Sequence, residues 1–347
     1  MVFKVSQSKV KTKRKCDRAY YYRYIAKLRK KVKSRPLQFG TMIHEMLERF
    51  CNGDDPFEYL DDIRDDVAQM KLFAAQREEF GDILEDVEDI MMDYFQHYDF
   101  DEDLKFMRKK GRQAEHTFEI ELFPDVIWNG KIDNVVTTPN KLRWLGEHKT
   151  FSRKPSDDDR WRNLQSTTYF VANDILGWPQ LDGCMWDYIK SKPPAVPGIL
   201  KDESLSQKKI DTLPSRVQRV VQERGEDVED YPQLMASATA NRSVYFDRVF
   251  TPVNPEVAYM VFADFEHTVR QMVEDEENSD HHWAMNIDRH CSWCDYEPLC
   301  RARMQSLDYD FVKEREFTNE KTNYEKAPVH VAQAPNVKQT AGKKTRK

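Results

Sequence analysis

Apolar residues recur along the chain with two periods, and the change from one to the other divides it. Phe39, Ile43, Leu47 and Phe50 follow at steps of four, four and three, which places them on one face of a helix that opens after Pro36. The stretch from Cys16 to Leu28, rich in tyrosine at Tyr20, Tyr21, Tyr22 and Tyr24, also reads as a helix. Helical periodicity continues over residues 54 to 110, through Ile63, Val67 and Met70 and then Ile83, Val87, Ile90, Met91 and Tyr94, with acids predicted on the outer faces. From Thr117 the period falls to two. FEIEL, VIW, KIDNVVT and KLRWLGEHKT, with turns at Asn129-Gly130 and Pro139-Asn140, predict a three-stranded antiparallel meander. A helix from about Asp158 to Leu176, a strand at CMWDYIK and a loop over the proline-rich residues 193 to 198 follow. Helix is weakly specified over 202 to 240, SVYFDRVFT alternates as a strand, and Pro255 to Glu274 reads as a helix. Beyond about Tyr309 the sequence is hydrophilic, and residues 310–347 read as a disordered basic tail.

A chain of 347 residues buries a full core without cross-links, as one large domain or two ordinary ones. Hydrophobic residues are 39% and aromatics 12%, a balance that predicts a mostly folded protein with polar surfaces. No apolar run approaches the roughly 20 residues that cross a bilayer. The start lacks the apolar core of a secretory signal, so a cytoplasmic setting is expected. The net charge of -6 conceals an uneven distribution: residues 1 to 35 carry fourteen Lys and Arg against the single acid Asp17, whereas residues 45 to 103 carry 21 acids against four bases. The basic segment, interleaved with tyrosine, suits nucleic acid, because Lys and Arg neutralise phosphates while aromatic rings stack on unpaired bases.

Chemistry concentrates in two places. In an extended strand alternate side chains share a face, so Glu147 and Lys149 point the same way, and the hairpin brings Asp133 beside them. Carboxylate oxygens are hard ligands for Mg²⁺ or Mn²⁺, and a neighbouring lysine serves a water aimed at a phosphodiester. The isolated spacing also fits a cross-strand salt bridge. His44 by itself fits a hydrogen-bonded core histidine, and Gln165 and Tyr169, one turn apart, fit ordinary helix polars. The second place is C-x2-C-x5-C at Cys291, Cys294 and Cys300. Soft thiolates select zinc or iron–sulfur. The fourth ligand has several candidates in Cys16, Cys51, Cys184 and His290, of which Cys16 would tie the two ends together.

Taken in order, Cys16-D-R-A-Y-Y-Y-R-Y, F-G-T-M-I-His44-E, G-K-I-Asp133, Glu147-H-Lys149-T, Gln165-S-T-T-Tyr169 and the cysteine triad resemble the RecB-type nucleases of the PD-(D/E)XK superfamily. The likeness covers about residues 5 to 305 and is greatest to CRISPR-associated and phage-borne RecB-like exonucleases and to the AddB-type nuclease domain, which share a split four-cysteine iron–sulfur site. It implies an α/β restriction-endonuclease-like core, a mixed sheet flanked by helices, within a nuclease domain over 1–309. That domain would include an acidic helical insertion at 53–112 and a cysteine segment at 288–303. It further implies that His44, Asp133, Glu147 and the carbonyl of His148 hold Mg or Mn, that Lys149 serves the attacking water, and that Gln165 and Tyr169 position DNA or the framework. Cys16, Cys291, Cys294 and Cys300 would hold a [4Fe-4S] cluster that clasps the ends. The proline of the superfamily name is not beside Asp133. The resemblance predicts a metal-dependent exonuclease acting on single-stranded DNA or duplex ends, in recombination, repair or phage DNA metabolism, within a bacterial or phage-infected cell. The sequence has no G-x4-G-K-[ST] phosphate loop, so unwinding would come from a helicase partner, and a single-strand annealing protein is a further expected partner. The alternatives are a noncatalytic DNA-end-binding or adaptation subunit with a vestigial site, and a zinc-stabilised structural protein.

Overall fold

The computed structural model of the chain describes residues 2–31, 34–69, 74–98, 104–107, 114 and 116–319. The chain begins with β1 (Phe3–Val5), α1 (Gln7–Lys15), α2 (Asp17–Tyr20), a π-helical turn at Tyr21–Ile25, and β2 (Arg29–Lys30). Three helices follow, α3 (Arg35–Asn52), α4 (Glu58–Gln69) and α5 (Ala74–His97). Next come β3 (Lys105–Phe106), β4 (His116–Phe123), β5 (Val126–Ile132), β6 (Asn134–Thr137) and β7 (Arg143–Phe151). The chain then forms α6 (Asp157–Trp161), α7 (Leu164–Ile175), β8 (Gly183–Lys190), α8 (Pro214–Glu223), α9 (Pro232–Tyr245), β9 (Phe246–Pro252) and α10 (Pro255–Glu277). It ends with α11 (Glu297–Met304), α12 (Tyr309–Glu316) and β10 (Phe317–Thr318).

The central sheet is mixed and five-stranded, in the order β3-β6-β7-β8-β9, with β7 and β8 parallel and the other pairs antiparallel. β8 shows why the sheet sits deep: all eight residues of GCMWDYIK are buried. Cys184, Trp186 and Tyr188 face a core shared with α7 and α10, built around Trp128, Phe262 and Phe265, while Ile189 joins a second core with α3, α4 and α5. A strand covered by helices on both faces has no solvent side, so apolar residues fill both its phases. Among the described residues no helix is long and apolar enough to cross a membrane.

Several expectations change. The predicted single meander is divided between two sheets: β4 and β5 pair with β1 in a three-stranded sheet, and β6 and β7 enter the central one. Asn129-Gly130 is not a turn, since β5 runs straight through it. A Cβ at Gly130 would collide with the Phe118 ring opposite, so this glycine permits close cross-strand packing. The helix expected from 158 to 176 is interrupted at Asn163, whose side chain accepts from the Gln165 amide at 3.1 Å and caps α7. The Tyr-rich helix breaks at Tyr20 into the π-helical turn. Helix α5 does not turn all its acids outward: Asp86, Asp89 and Asp93 are buried against Arg35, Arg216, Arg219 and Arg242. Ordered chain also extends past the expected start of the tail, because α12 and β10 continue it and β10 pairs with β2. The rest of the expected tail, from 320, lies outside the described residues.

Candidate active site

Asp133 occupies the break between β5 and β6, where the chain passes from one sheet to the other. Its Oδ2 accepts the backbone N–H of His148 at 2.9 Å, which fastens the break to the middle of β7. From α3, His44 brings Nδ1 to 3.7 Å from the same oxygen. On β7, Glu147 and Lys149 share a face, as strand alternation requires, and form an ion pair. Tyr169 is buried, and its hydroxyl hydrogen-bonds the backbone of Lys131, two residues before Asp133. It therefore steadies the framework. Gln165 lies one turn earlier on α7, half-buried.

Charge is unevenly distributed across this group. Burial pushes the Glu147 carboxyl up to about 7 against the pull of Lys149, with Asp133 adding to the rise. Burial also opposes ionisation of Asp133, yet His44, His148 and Lys149 hold it below the usual carboxylate range. Burial lowers His44, favouring the neutral imidazole that a metal ligand requires. Two carboxylates crowded with one imidazole form a hard oxygen and nitrogen donor set of the kind that Mg²⁺ or Mn²⁺ accepts. A cleft of about 430 Å³, lined by Thr41, Lys131 and Thr150 among others, opens onto His44 and Asp133.

Among the described residues, three ligand atoms lie within 4.8 Å of one another at a different place, Asp17, Asp275 and His281; the set around Asp133 is drawn less tightly. The tighter trio encloses Lys13, whose Nζ is 2.5 Å from both carboxylates, so an ammonium already occupies the position a cation would take. It is a charge knot that ties α1 and α2 to α10.

A family model described as the PD-(D/E)XK nuclease superfamily matches residues 4–301. The chain belongs to that superfamily. A search of curated proteins finds no match to it. The matched span runs from before Cys16 to beyond Cys300, so it includes helices α3, α4 and α5 and both ends of the chain's cysteine set.

The basic segment of the nuclease domain divides into two roles. Lys13 is locked in the knot, and Arg14 donates to Thr268 at 3.0 Å and to the Asp264 carbonyl at 2.6 Å, so both dock α1 on α10. Lys11 and Lys15 are exposed, and among the described residues neither is ion-paired. Although Lys11 reaches solvent, the protein packed around it partly desolvates its ammonium and lowers its pKa, with Lys149 and Lys15 adding to the drop and Glu147 opposing it. Of the four tyrosines expected to stack on bases, Tyr21 and Tyr24 are half-buried. Tyr20 and Tyr22 are fully buried, Tyr20 stacked on Trp283 and Tyr22 tilted against Tyr296.

The nuclease's cysteines Cys16, Cys291, Cys294 and Cys300 all line one cavity of about 240 Å³, together with Asn286 and His290. Burial raises the Cys294 thiol and pushes Cys300 up to about 11, and the remaining cysteines of the set add to the rise at Cys300. Among the described residues, His290 Nε2, which belongs to the same lining, is buried and has no hydrogen-bond partner. Among the described residues no three of these sulfurs and the His290 nitrogens lie within 4.8 Å of one another, so the four cysteines share a cavity without forming a closed ligand set. Cys51 and Cys184 are buried elsewhere in the core and line no part of this cavity.

Sequence reasoning missed Asn134 and Asp187, which contact the His148 ring on the far face of β7, and Tyr94 and Arg248, which contact Asp187. One signal was present: an aspartate in the middle of the otherwise apolar CMWDYIK.

Proposed function

We propose that this nuclease is a RecB-like, Mg²⁺- or Mn²⁺-dependent deoxyribonuclease that hydrolyses phosphodiester bonds from DNA ends and carries a [4Fe-4S] cluster on Cys16, Cys291, Cys294 and Cys300. The observation that carries the reading is the convergence of His44, Asp133 and the Glu147–Lys149 pair at the break between β5 and β6, beside an open cleft. His44, Asp133, Glu147 and the His148 carbonyl would hold the cation. When bound, the cation supplies a polarised water and neutralises charge on the phosphate. Lys149 holds Glu147 in place and offers a proton-bearing group to the developing charge. Digestion of 5′- and 3′-labelled single and double strands with Mn²⁺ tests the proposal; no metal-dependent cleavage of any of them overturns it, and the order of product lengths gives the polarity.

Lys149→Ala is expected to cut turnover by roughly 10²–10⁴-fold, the usual range for losing a positioned proton-transfer group. Mn²⁺ affinity should change little, because an ammonium has no lone pair to donate. Calorimetric titration distinguishes the two effects, and a lysine variant that no longer binds Mn²⁺ would refute this role.

DNA contact along α1 falls to Lys11 and Lys15 in this reading, since Lys13 and Arg14 are engaged with α10. Each phosphate contact adds about 0.7–0.9 to the slope of log affinity against log salt, so Lys11→Gln with Lys15→Gln should flatten the slope by roughly 1.4–1.8. Neutralising Lys13 and Arg14 should instead lower the melting temperature and leave the slope nearly unchanged. The opposite pattern would move the DNA path off this face.

A further inference from the structure

Strand β7 turns Glu147 and Lys149 to one face and His148 to the other. Behind the strand, His148 is in register with Asp187 of β8, and Asp187 with Arg248 of β9. His148 Nδ1 is 2.8 Å from Asp187 Oδ2, the Tyr94 hydroxyl of α5 donates to that same oxygen, and Arg248 Nε is 3.4 Å from the other. On the far side of the ring, the Asn134 amide nitrogen lies 2.9 Å from His148 Nε2. A proton on Nδ1 satisfies both contacts, with His148 donating to Asp187 and accepting from Asn134. Asn134 reaches this position across Gly146, its partner in the ladder, where any Cβ would overlap the asparagine side chain.

The row is costly to bury. The side chains of His148, Asp187 and Arg248 are 8%, 0% and 8% exposed, and an apolar row of similar volume would serve stability as well. What the row grips is distinctive. His148 gives its backbone N–H to Asp133, and Asn134 directly follows Asp133, so both residues held by the row adjoin the proposed cation ligands. Hydrogen-bonded polar networks fix one geometry where apolar packing tolerates several; among the described residues, the Asn134 Oδ1 of this row is left without a hydrogen-bond partner.

We propose that Asn134, Asp187, Tyr94 and Arg248 are positioning residues that set the His148 peptide from behind the sheet, and through it the orientation of Asp133 toward the cation. Tyr94 belongs to α5, so the helical insertion is coupled to the catalytic strand. The inference rests on the metal-dependent nuclease reading above.

The test compares Tyr94→Phe and Asp187→Asn with the parent and with Asp133→Ala, measuring Mn²⁺ affinity by calorimetry, melting temperature, and kcat and KM on labelled DNA. Losing an outer hydrogen-bond partner of a metal site weakens affinity or activity by about 10–100-fold, and that loss is expected in Mn²⁺ affinity and kcat of both variants, with KM for DNA nearly unchanged. His148→Gln, which keeps a donor toward Asp187, should retain more Mn²⁺ affinity than His148→Leu. If Asp187→Asn fails to fold because Arg248 loses its carboxylate partner, Tyr94→Phe, which removes one hydroxyl, decides the matter. Folded variants with a lower melting temperature but parental Mn²⁺ affinity and kcat would show that the row is structural and overturn the inference. A parent that binds no Mn²⁺, or an Asp133→Ala that binds it as the parent does, would instead remove the nuclease-site reading and the inference with it.

Discussion

Asp133→Ala and Glu147→Ala are each expected to lower DNA turnover by at least about 10³-fold, a loss of roughly 4 kcal/mol of transition-state stabilisation at about 1.4 kcal/mol per decade. The size follows from the number of jobs each carboxylate does. Asp133 is the point where His44, the His148 peptide and the cleft meet, and Glu147 sets the position of Lys149. Neither change should unfold the protein. Truncating Asp133 leaves one peptide N–H without its acceptor, at about 1–3 kcal/mol, and truncating Glu147 leaves an ammonium whose side chain is 32% exposed and able to reach water. Asp133→Asn and Glu147→Gln keep the shapes and separate loss of charge from loss of packing. Turnover within about tenfold of the parent by either folded alanine variant, in Mn²⁺ and with circular dichroism unchanged, would end the assignment.

The convergence of Asp133, Glu147 and Lys149 was legible because their spacing obeys strand geometry. Glu147 and Lys149 share a face for the same reason that any residues i and i+2 do, and a return strand brings Asp133 alongside whatever sheet it belongs to. The sheet assignment itself was not legible. Asn129-Gly130 carries the strongest short hairpin signal in the chain, but Phe118 needs the absent Cβ of Gly130 for packing, and a cross-strand contact of that kind leaves no local mark. Helix α5 misled for a related reason. Its acids look solvated by periodicity, whereas Arg216 and Arg219, more than 120 residues later, meet Asp86, Glu88 and Asp89 in ion pairs. An ion pair between distant segments is invisible to any window that defines a helix face. Two tyrosines of the basic segment have the same history: Tyr20 and Tyr22 are buried against Trp283 and Tyr296, more than 250 residues later.

Cys16→Ser is expected to deplete iron and sulfide together and to lower the melting temperature, whereas Cys51→Ser and Cys184→Ser should leave the metal content unchanged. The two ends already meet without any metal group. Tyr296 donates its hydroxyl to the Leu28 carbonyl at 2.9 Å, Arg18 N–H reaches the Ala284 carbonyl at 2.8 Å, and β10 pairs with β2. A metal group bonded to Cys16 and to the C-terminal triad would add a covalent closure of almost the whole domain. Cross-links that close long loops stabilise by about 2–5 kcal/mol, mainly by restricting the unfolded chain. At about 2–4 °C per kcal/mol for chains of this order, the melting temperature should fall by on the order of 10 °C. Because the protein contacts remain, Cys16→Ser should still fold, so iron content and stability are both measurable on the same sample. A brown, anaerobically prepared parent with four irons and a pale Cys16→Ser protein would agree with the proposal. Stoichiometric zinc in a colourless parent, or full iron occupancy in Cys16→Ser, would mean that the cavity among the four cysteines is filled differently, and the ends would then be held by the protein contacts alone.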